Sequence, residues 1–260
     1  MTTVERSSPL GAAPGPSEPL LAFDGVGKTF PDGTVALDGI DLRVAPGEFV
    51  TVVGPSGCGK STLLRIASGL DAATEGSVAV AARKIGYVFQ DPTLLPWRTV
   101  QANVELLAEL EGLPRPERRR LAREALELVG LSEFVGNLPH TLSGGMRMRV
   151  SLARSLTMQP EAFLFDEPFG ALDEITRQRL NDELLALFAT NRFAGLFVTH
   201  SVSEACFLST RVVVLSGRPG RVLASFDVPF EYPRPPELRY SEAFGHIAGA
   251  VSARLREGSS

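Results

Sequence analysis

The stretch that decides the predicted fold is Gly54-Pro55-Ser56-Gly57-Cys58-Gly59-Lys60-Ser61. It matches the pattern G-x-x-x-x-G-K-[ST] at every fixed position. An apolar, strand-like run, Phe49–Val53, precedes it, and a helical pattern begins at Thr62. Strand, glycine-rich loop and helix therefore stand in the order that a phosphate-binding loop requires. A glycine-rich turn that merely joins strand to helix would not need all of these features together.

The loop chemistry predicts a nucleotide site. Glycines let the backbone curl so that its N–H groups point inward, and the helix N-terminus adds positive potential. Lys60 supplies a cation for the β- and γ-phosphates, and the Ser61 hydroxyl suits Mg²⁺. The predicted ATP-binding residues of this segment are Gly54, Pro55, Ser56, Gly57, Cys58, Gly59, Lys60, Ser61 and Thr62. Cys58 is expected to lie inside the cradle, where a bulky adduct on its thiol would occupy phosphate space.

Two adjacent acids end a second apolar run, Phe163–Phe165. In a protein with a phosphate loop, an acid at this position, Asp166, is placed to hold the Mg²⁺ shell. Glu167 follows it and faces differently, so it can polarise a water for attack on the γ-phosphate. Taken alone, such a pair would more often be a solvated turn. The upstream loop favours the catalytic interpretation.

A second anion site is predicted where Leu142 is followed by a serine, two glycines and a helical pattern. Ser143 can cap the helix, while Gly144 and Gly145 leave N–H groups free for an anion. Because the phosphate loop already wraps one triphosphate, this turn of one copy is expected to close on ATP held by another copy. Ser143, Gly144, Gly145 and Met146 are thus predicted to act in trans, in a head-to-tail dimer. An ordinary serine-capped helix is the alternative.

The rest of the chain predicts an α/β fold. Short apolar runs between Leu20 and Val53 indicate a small β region, and the pattern from Val100 to Val135 is helical. After Leu142, helix and buried strand alternate, which indicates a parallel sheet. A last amphipathic helix is expected to pack a stripe of apolar residues on the body: Phe244, Ile247, Ala248, Val251 and Leu255.

Composition limits the classes of function. Apolar residues make up 44% of the 260, and 26 Lys and Arg stand against 30 Asp and Glu, a net charge of -4. So mild a charge does not favour a nucleic-acid partner. The apolar runs are far shorter than the ~20 residues of a membrane helix. Residues 1–19 are rich in Ser, Pro, Gly and Ala and are expected to form a flexible tail without a signal peptide. A disulfide between Cys58 and Cys206 is not expected, and the cytosol is the predicted compartment.

These motifs, in this order, resemble those of the ABC ATPases, and the resemblance spans Leu20 to Ser225. It implies an α/β P-loop NTPase cassette: a RecA-like parallel-sheet core with an N-terminal antiparallel β subdomain and an inserted α-helical subdomain. The expected domain is 20–235, with the helical subdomain at about 95–155, followed by a C-terminal helix and tail at 236–260. ATP and Mg²⁺ are the implied cofactors.

The resemblance also assigns roles that the residues alone would not carry. Phe30 looks like the aromatic that stacks on adenine, and Gln90 like the loop glutamine that senses Mg²⁺ and the attacking water. Asp173 lies in a segment that resembles the D-loop. His200 resembles the switch histidine that contacts the γ-phosphate. The sequence departs from the family pattern at Met146 and Met148, where Gln is common, and at Ser201, where Asp is frequent.

Three segments are similar to the ATPases that drive import of nitrate, sulfonates or taurine: Leu94–Val100, Leu142–Met148 and Arg218–Gly220. That group also includes ATPases for pyrimidine-type vitamin precursors, so the solute stays open. The resemblance implies membrane permease subunits as partners, a solute-binding protein as an indirect one, and a peripheral location on the cytoplasmic face of the inner membrane. A soluble ABC ATPase acting on ribosomes or DNA is an alternative, as is a purely structural binding module. Glu167 and His200 argue against the latter.

One interface is predicted in particular. Leu94, Leu95, Pro96 and Trp97 closely follow Gln90, and apolar side chains on a proline-stiffened loop suit contact with a helix of the permease. The alternative is that Trp97 packs against the helical subdomain.

Overall fold

The computed structural model describes residues 18–258. Almost all of the predicted N-terminal tail, residues 1–19, lies outside the described residues. Between residues 18 and 258, no helix combines the length and the apolar character that a membrane span requires.

A small antiparallel sheet opens the described chain. Its strands are β1 (Leu21–Thr29), β2 (Val35–Val44) and β4 (Glu75–Val80), in the order β2-β1-β4. Strand β1 is mostly buried, whereas β4 at the edge is largely exposed. The register along β1 is irregular in its pairing with both neighbours, as it is at β-bulges.

The main sheet has six strands, in the order β5-β6-β7-β3-β8-β9. These are β3 (Phe49–Val53), β5 (Ile85–Val88), β6 (Ala162–Asp166), β7 (Ala194–Thr199), β8 (Arg211–Leu215) and β9 (Val222–Asp227). Strands β5, β6, β7, β3 and β8 run parallel, and β9 is antiparallel to β8. The predicted α/β fold with a parallel-sheet core and an N-terminal antiparallel sheet is confirmed.

Helices cover the main sheet or form a separate cluster. They are α1 (Lys60–Ala67), α2 (Val100–Val104), α3 (Leu106–Leu110), α4 (Arg115–Leu128), α5 (Gly144–Leu156), α6 (Glu174–Asn191), α7 (Val202–Leu208) and α8 (Glu242–Glu257). Short 3-10 helices occupy Ser132–Phe134, Pro139–Thr141 and Pro236–Tyr240. Helices α2 to α5 fall in the stretch expected to form the inserted helical subdomain, whose limits stay a prediction. In α8, Phe244 and Val251 are buried, so the predicted apolar stripe does pack on the body.

Side chains that point alternately to the two faces of the main sheet divide the core into two layers. Phe49 and Val53 of β3 point into a layer shared with Phe165, whereas Val50 and Val52 point to the opposite face, which packs against α1 and the antiparallel sheet. Such period-two alternation of large apolar residues is expected of a strand that is buried on both faces.

A cluster of phenylalanine rings fills the first layer. The Phe49 ring lies 5.2 Å from the Phe188 ring and 5.9 Å from those of Phe165 and Phe197, between centroids. Gly195 pairs with Phe49 across the sheet, and a Cβ added there would lie 2.7 Å from a ring carbon of Phe49. The missing side chain therefore makes the room that this ring occupies.

The ends of the strands determine where the predicted site residues lie. In a parallel sheet the carboxyl ends of neighbouring strands meet at one edge. Val53 pairs with Thr199, and Asp166 pairs with Val198. The loops that follow β3, β6 and β7 thus begin side by side.

We predict that Gly195→Ala destabilises the protein, because the new methyl group would displace the Phe49 ring from a packed cluster. The midpoint of thermal unfolding should fall by roughly 3 to 10 °C. Gly249→Ala is the matched control, since Gly249 is exposed on α8 and a Cβ there would meet nothing within 4 Å. The control should be neutral or slightly stabilising. Equal midpoints for both variants would contradict the packing argument.

Candidate functional site

The phosphate loop connects β3 to α1 and contains backbone that only glycine adopts easily. Gly57 and Gly59 have φ of 76° and 105°. A Cβ on Gly59 would lie 2.6 Å from Leu37 Cδ2 and 2.7 Å from the Ala36 carbonyl oxygen. Both the conformation and the close approach of β2 therefore require glycine at position 59.

Lys60 begins α1 and is only 4% exposed. Its Nζ donates hydrogen bonds to the carbonyl oxygens of Gly54 (2.9 Å) and Pro55 (3.0 Å). The same Nζ lies 3.6 Å from Glu167 Oε1. The ammonium is thus held by two carbonyl groups of the phosphate loop and lies beside the predicted catalytic carboxylate.

Ser61 and Asp166 meet at the start of α1. The Ser61 hydroxyl donates to Asp166 Oδ1 at 2.7 Å, and the Tyr87 hydroxyl donates to Oδ2 at 3.3 Å. Burial raises the pKa of the Asp166 carboxyl, although both hydrogen bonds act to lower it. Within the described chain Asp166 forms no salt bridge. A hydroxyl next to a half-buried carboxylate without a basic partner is a donor set that suits a hard divalent cation such as Mg²⁺.

Glu167 has a strained backbone, with φ of +43°, which is unusual for a residue other than glycine. Its N–H donates to the Val198 carbonyl oxygen at 3.0 Å, and its own carbonyl accepts from the Gly170 N–H at 3.1 Å. With its backbone held in this way, the Glu167 carboxylate contacts Lys60 and His200, whereas Asp166 binds Ser61 and Tyr87. Strain of this kind concentrates at functional sites, where the surrounding structure holds it.

The Glu167 carboxylate lies between two basic groups. Oε2 is 3.0 Å from Nδ1 of His200, and Oε1 faces Lys60. His200 directly follows β7, so strand register brings it to Glu167 across 33 positions of sequence. The tertiary structure therefore unites three predicted residues from three separate loops: Lys60, Glu167 and His200.

Ser201, a departure from the family pattern, has a structural role. Its hydroxyl accepts from the Glu204 N–H at 3.3 Å and caps α7. Glu204 is buried, which raises the pKa of its carboxyl, and it accepts a 2.5 Å hydrogen bond from the Thr199 hydroxyl. The strand end beside His200 is thereby tied to the helix that follows it.

The predicted second anion site starts α5, where Ser143 caps the helix by accepting from the Met146 N–H at 3.3 Å. A Cβ on Gly144 would lie 3.2 Å from Leu172, and one on Gly145 would lie 2.9 Å from Thr176. This turn therefore packs against the segment that resembles the D-loop. Within residues 18–258 no hydrogen bond or ion pair joins it to the phosphate loop.

Asp173, in that segment, caps α6 by accepting from the Thr176 N–H at 3.0 Å, and this bond lowers the pKa of its carboxyl. Met148, the other departure in this region, is buried in the main core, where a glutamine amide would need hydrogen-bond partners.

Phe30 and Gln90 are two further residues predicted to contact nucleotide or Mg²⁺. The Phe30 ring is partly exposed, with Lys28 Nζ 5.3 Å from its centroid. Gln90 is exposed and forms no hydrogen bond to Ser61 or Asp166 in the described part of the chain. Their roles stay predictions.

The expectation for the Cys58 side chain is wrong. Cys58 is 1% exposed and packs in the core layer between the two sheets, and burial raises the pKa of its thiol. A Cβ on Gly54 would lie 2.7 Å from Cys58 Sγ, so the thiol fills space beneath the loop. The small side chain fits because it points inward while the backbone faces the site.

Tyr87 is a site residue that the sequence reasoning missed. It lies on β5, three residues before Gln90, and stacks on Phe89 with ring centroids 4.0 Å apart. Burial, together with the charge of Asp166, raises the pKa of its hydroxyl, so it stays a donor to that carboxylate. A polar-tipped aromatic on an otherwise apolar strand was the available signal.

The predicted docking segment, residues 94–97, lies at the edge of the helical cluster. Trp97 is 74% exposed, so the alternative that it packs against the helical subdomain is wrong. The loop is nonetheless held firmly, since the Leu95 N–H donates to Asn103 Oδ1 at 2.7 Å and Asn103 Nδ2 donates to the Leu95 carbonyl at 3.1 Å. Asn103 itself is fully buried.

A family model described as ABC transporter matches residues 37–170. Among curated proteins, the aliphatic sulfonates import ATP-binding protein SsuB 1 of Mesorhizobium japonicum is 42% identical over 258 residues, which is 94% of each chain. The nitrate import ATP-binding protein NrtD of Synechococcus elongatus is 42% identical over 82% of this chain and 83% of its own. The taurine import ATP-binding protein TauB of Rhizobium johnstonii is 45% identical over 75% and 77%.

Comparison with solved structures indicates the same family. A dimeric bacterial ABC transporter cassette superposes with a TM-score of 0.73 at 33% identity, covering 81% of this chain and all of its own. The same cassette has also been solved as a post-hydrolysis dimer bound to ADP and phosphate. The chain, with its P-loop and parallel-sheet core, therefore belongs to the ABC transporter family and is an ATP-hydrolysing ABC cassette.

Proposed function

We propose that this cassette is the nucleotide-binding subunit that powers an importer for taurine, an aliphatic sulfonate or nitrate. Relatives named for import of each of these solutes are at least 42% identical to the chain. The proposal of ATP hydrolysis rests on the position of the Glu167 carboxylate. It lies between Lys60 and His200 and beside the Ser61–Asp166 pair. No observation favours a soluble ABC ATPase.

In the proposed reaction Glu167 is the general base. Its carboxylate accepts a proton from the water that attacks the γ-phosphate, and His200, 3.0 Å away, holds the carboxylate in place and contacts the γ-phosphate. Lys60 has three N–H donors, two of which bind loop carbonyls. It can therefore exchange a carbonyl for a phosphate oxygen without leaving the loop, and so stabilise the charge that develops on the phosphates.

Ser61 and Asp166 would hold Mg²⁺, with Gln90 as a further ligand supplied from its exposed loop. The ion would neutralise charge on the β- and γ-phosphates. Tyr87 keeps the Asp166 carboxylate oriented toward Ser61, because it donates to the oxygen that Ser61 does not use. Phe30 would stack on the adenine ring.

A second copy of the chain is the proposed direct partner. Residues 143–146 present a capped helix start that makes no bond to the phosphate loop of its own chain. A head-to-tail dimer would bring this turn to ATP held by the partner, with Asp173 at the same interface. The similarity to a dimeric cassette supports this arrangement.

The permease would dock at residues 94–97. Trp97 is an exposed aromatic on a loop that Asn103 holds in place, and Arg98, next to it, lines a cavity of ≈ 460 Å³ beside α2 and α4. An exposed aromatic anchor on a firmly held loop suits contact with a partner helix, and charged residues line most of the neighbouring cavity. This dock would place the protein on the cytoplasmic face of the inner membrane, where a solute-binding protein would be only an indirect partner.

We expect Glu167→Gln to bind ATP but to lose hydrolysis. The carboxamide keeps the shape and the contact with His200 but cannot take a proton, so steady-state kcat should fall by at least ~100-fold. ATP affinity, measured by titration, should change little because the phosphate loop is intact. Glu133→Gln, an exposed acid among the helices, is the control and should hydrolyse normally. Near-normal turnover of Glu167→Gln would reject the assignment.

The same variant should accumulate a dimer with ATP, since bound ATP bridges two copies and hydrolysis normally reopens them. Light scattering with saturating ATP and Mg²⁺ should give twice the monomer mass. Adding Ser143→Arg in the same background should restore monomer, because a bulky side chain at the start of α5 would block closure. A monomer at saturating ATP without the second change would argue against the sandwich.

Trp97→Ala should separate docking from folding. Since the side chain is 74% exposed, the thermal midpoint and ATP affinity should stay close to wild type. Recovery of the subunit with its permease, or stimulation of ATPase activity by the permease, should fall several-fold. Tyr240→Ala, which removes another aromatic that is 81% exposed, should leave assembly unchanged. Normal assembly and transport by Trp97→Ala would defeat the docking proposal.

A further inference from the structure

Arg218 contacts the phosphate loop from a distant part of the sequence. Its Nε and Nη2 donate hydrogen bonds to the Gly57 carbonyl oxygen at 3.1 and 3.0 Å. The residue lies in the turn between β8 and β9, outside the stretch 37–170 that the family model matches. The side chain is exposed, so its contact with the loop is not explained by burial.

The contact constrains the part of the loop that faces the phosphates. A trans peptide unit is planar, and its C=O and N–H point in opposite directions. Because Arg218 binds the Gly57 carbonyl, the N–H of Cys58 in the same peptide unit must point away from Arg218. It makes only a long hydrogen bond, 3.3 Å, to the Pro55 carbonyl oxygen. Arg218 thus fixes the direction of an N–H group within the phosphate loop.

The backbone of the same turn supports the next peptide. A Cβ on Gly220 would lie 2.2 Å from the Cys58 carbonyl oxygen, so the turn approaches the loop as closely as glycine allows. The Gly220 N–H donates to the Ala36 carbonyl at 2.9 Å, and the Gly220 carbonyl accepts from the Asp38 N–H at 3.0 Å. Position 220 is thereby fixed to β2.

The turn itself is braced. The Ser216 hydroxyl donates to the Pro219 carbonyl at 2.7 Å and accepts from the Arg221 N–H at 2.9 Å. Arg218 therefore extends from a rigid support, and its two donors reach Gly57 from a defined direction.

The charge of Arg218 also acts on Asp32, in the turn that follows Phe30. The pKa of Asp32 is lowered first by hydrogen bonds from Thr34 and to a smaller extent by the charge of Arg218. The Thr34 N–H donates to Asp32 Oδ1 at 2.9 Å, and the Phe30 N–H donates to the Thr34 carbonyl at 2.9 Å. The positive charge of the guanidinium thus acts on the turn next to Phe30, while its hydrogen bonds reach Gly57.

We propose that Arg218 is a positioning residue for ATP binding: its paired hydrogen bonds to the Gly57 carbonyl hold the phosphate loop in the conformation that receives the β- and γ-phosphates. It does not touch the reacting atoms. The effect belongs to nucleotide affinity, because the loop geometry is needed equally before and during hydrolysis. The inference rests on the proposed phosphate site at residues 54–62.

Arg218→Ala and Arg218→Lys test this directly. Removing both donors should raise the KM for ATP and the Kd for ADP by about tenfold, or about 1.4 kcal/mol, while kcat stays within about twofold. Lysine keeps the charge and one donor but loses the bidentate geometry, so its values should lie between those of alanine and wild type. The Kd for ADP is measured by titration, independently of turnover.

Arg221→Ala is the matched control. Arg221 lies in the same turn, is exposed and carries the same charge, but its Nε donates to Asp38 at 2.8 Å instead of to the phosphate loop. It should bind both nucleotides with wild-type affinity, and the thermal midpoints of the nucleotide-free variants should differ by no more than about 2 °C.

Several results would overturn the inference: an unchanged Kd in Arg218→Ala, an equal loss in Arg221→Ala, or a fall in kcat with KM unchanged. Wild-type affinity in Arg218→Lys would show that charge alone suffices and would also overturn it. If the alanine variant does not fold, the lysine variant still decides. Absence of nucleotide binding by the wild-type protein would instead reject the proposed phosphate site itself.

Discussion

The site depends on the register of three adjacent parallel strands. Strand β3 leads into the phosphate loop, β6 ends in Asp166 and β7 leads to His200. Because Val53 pairs with Thr199 and Asp166 pairs with Val198, the loops leave the sheet at the same level. A shift of one residue would turn each strand's side chains to the opposite face and separate these groups. The distances around Glu167 follow from this register.

The aromatic layer helps to maintain that register. Large rings on one face of β3, β6 and β7 interlock, and they fit because two glycines carry no side chain opposite them. A Cβ on Gly195 would lie 2.7 Å from a ring carbon of Phe49, and a Cβ on Gly86 would lie 2.7 Å from one of Phe163. Aromatic pairs of this kind stabilise the folded state by more than their buried area alone would. Packing that fills the core thus also holds in register the strands that lead to the phosphate loop, Glu167 and His200, so the proposed catalytic geometry depends on core packing.

Around the phosphate loop, polar groups of the protein form hydrogen bonds to one another. Lys60 binds two carbonyls, Ser61 binds Asp166, and Arg218 binds Gly57. In the proposed ATP complex, such preformed contacts would reduce the rearrangement that ligand binding requires. The strained backbone at Glu167 belongs to the same arrangement, since the bond to Val198 maintains it. The carboxylate contacts His200 and Lys60, whereas Asp166 binds Ser61 and Tyr87.

The sequence by itself determined the α/β class, the phosphate loop between β3 and α1, the acids after β6 and the capped start of α5, because each is written in local patterns of a few residues. Only the tertiary structure decided which way side chains point and which distant residues meet. Cys58 points into the core, Trp97 points out, Tyr87 reaches Asp166, and Arg218 reaches Gly57 across 161 positions. The physical reason is that a loop residue has no periodicity to fix its direction, and contacts between strands depend on sheet order, which no local pattern encodes.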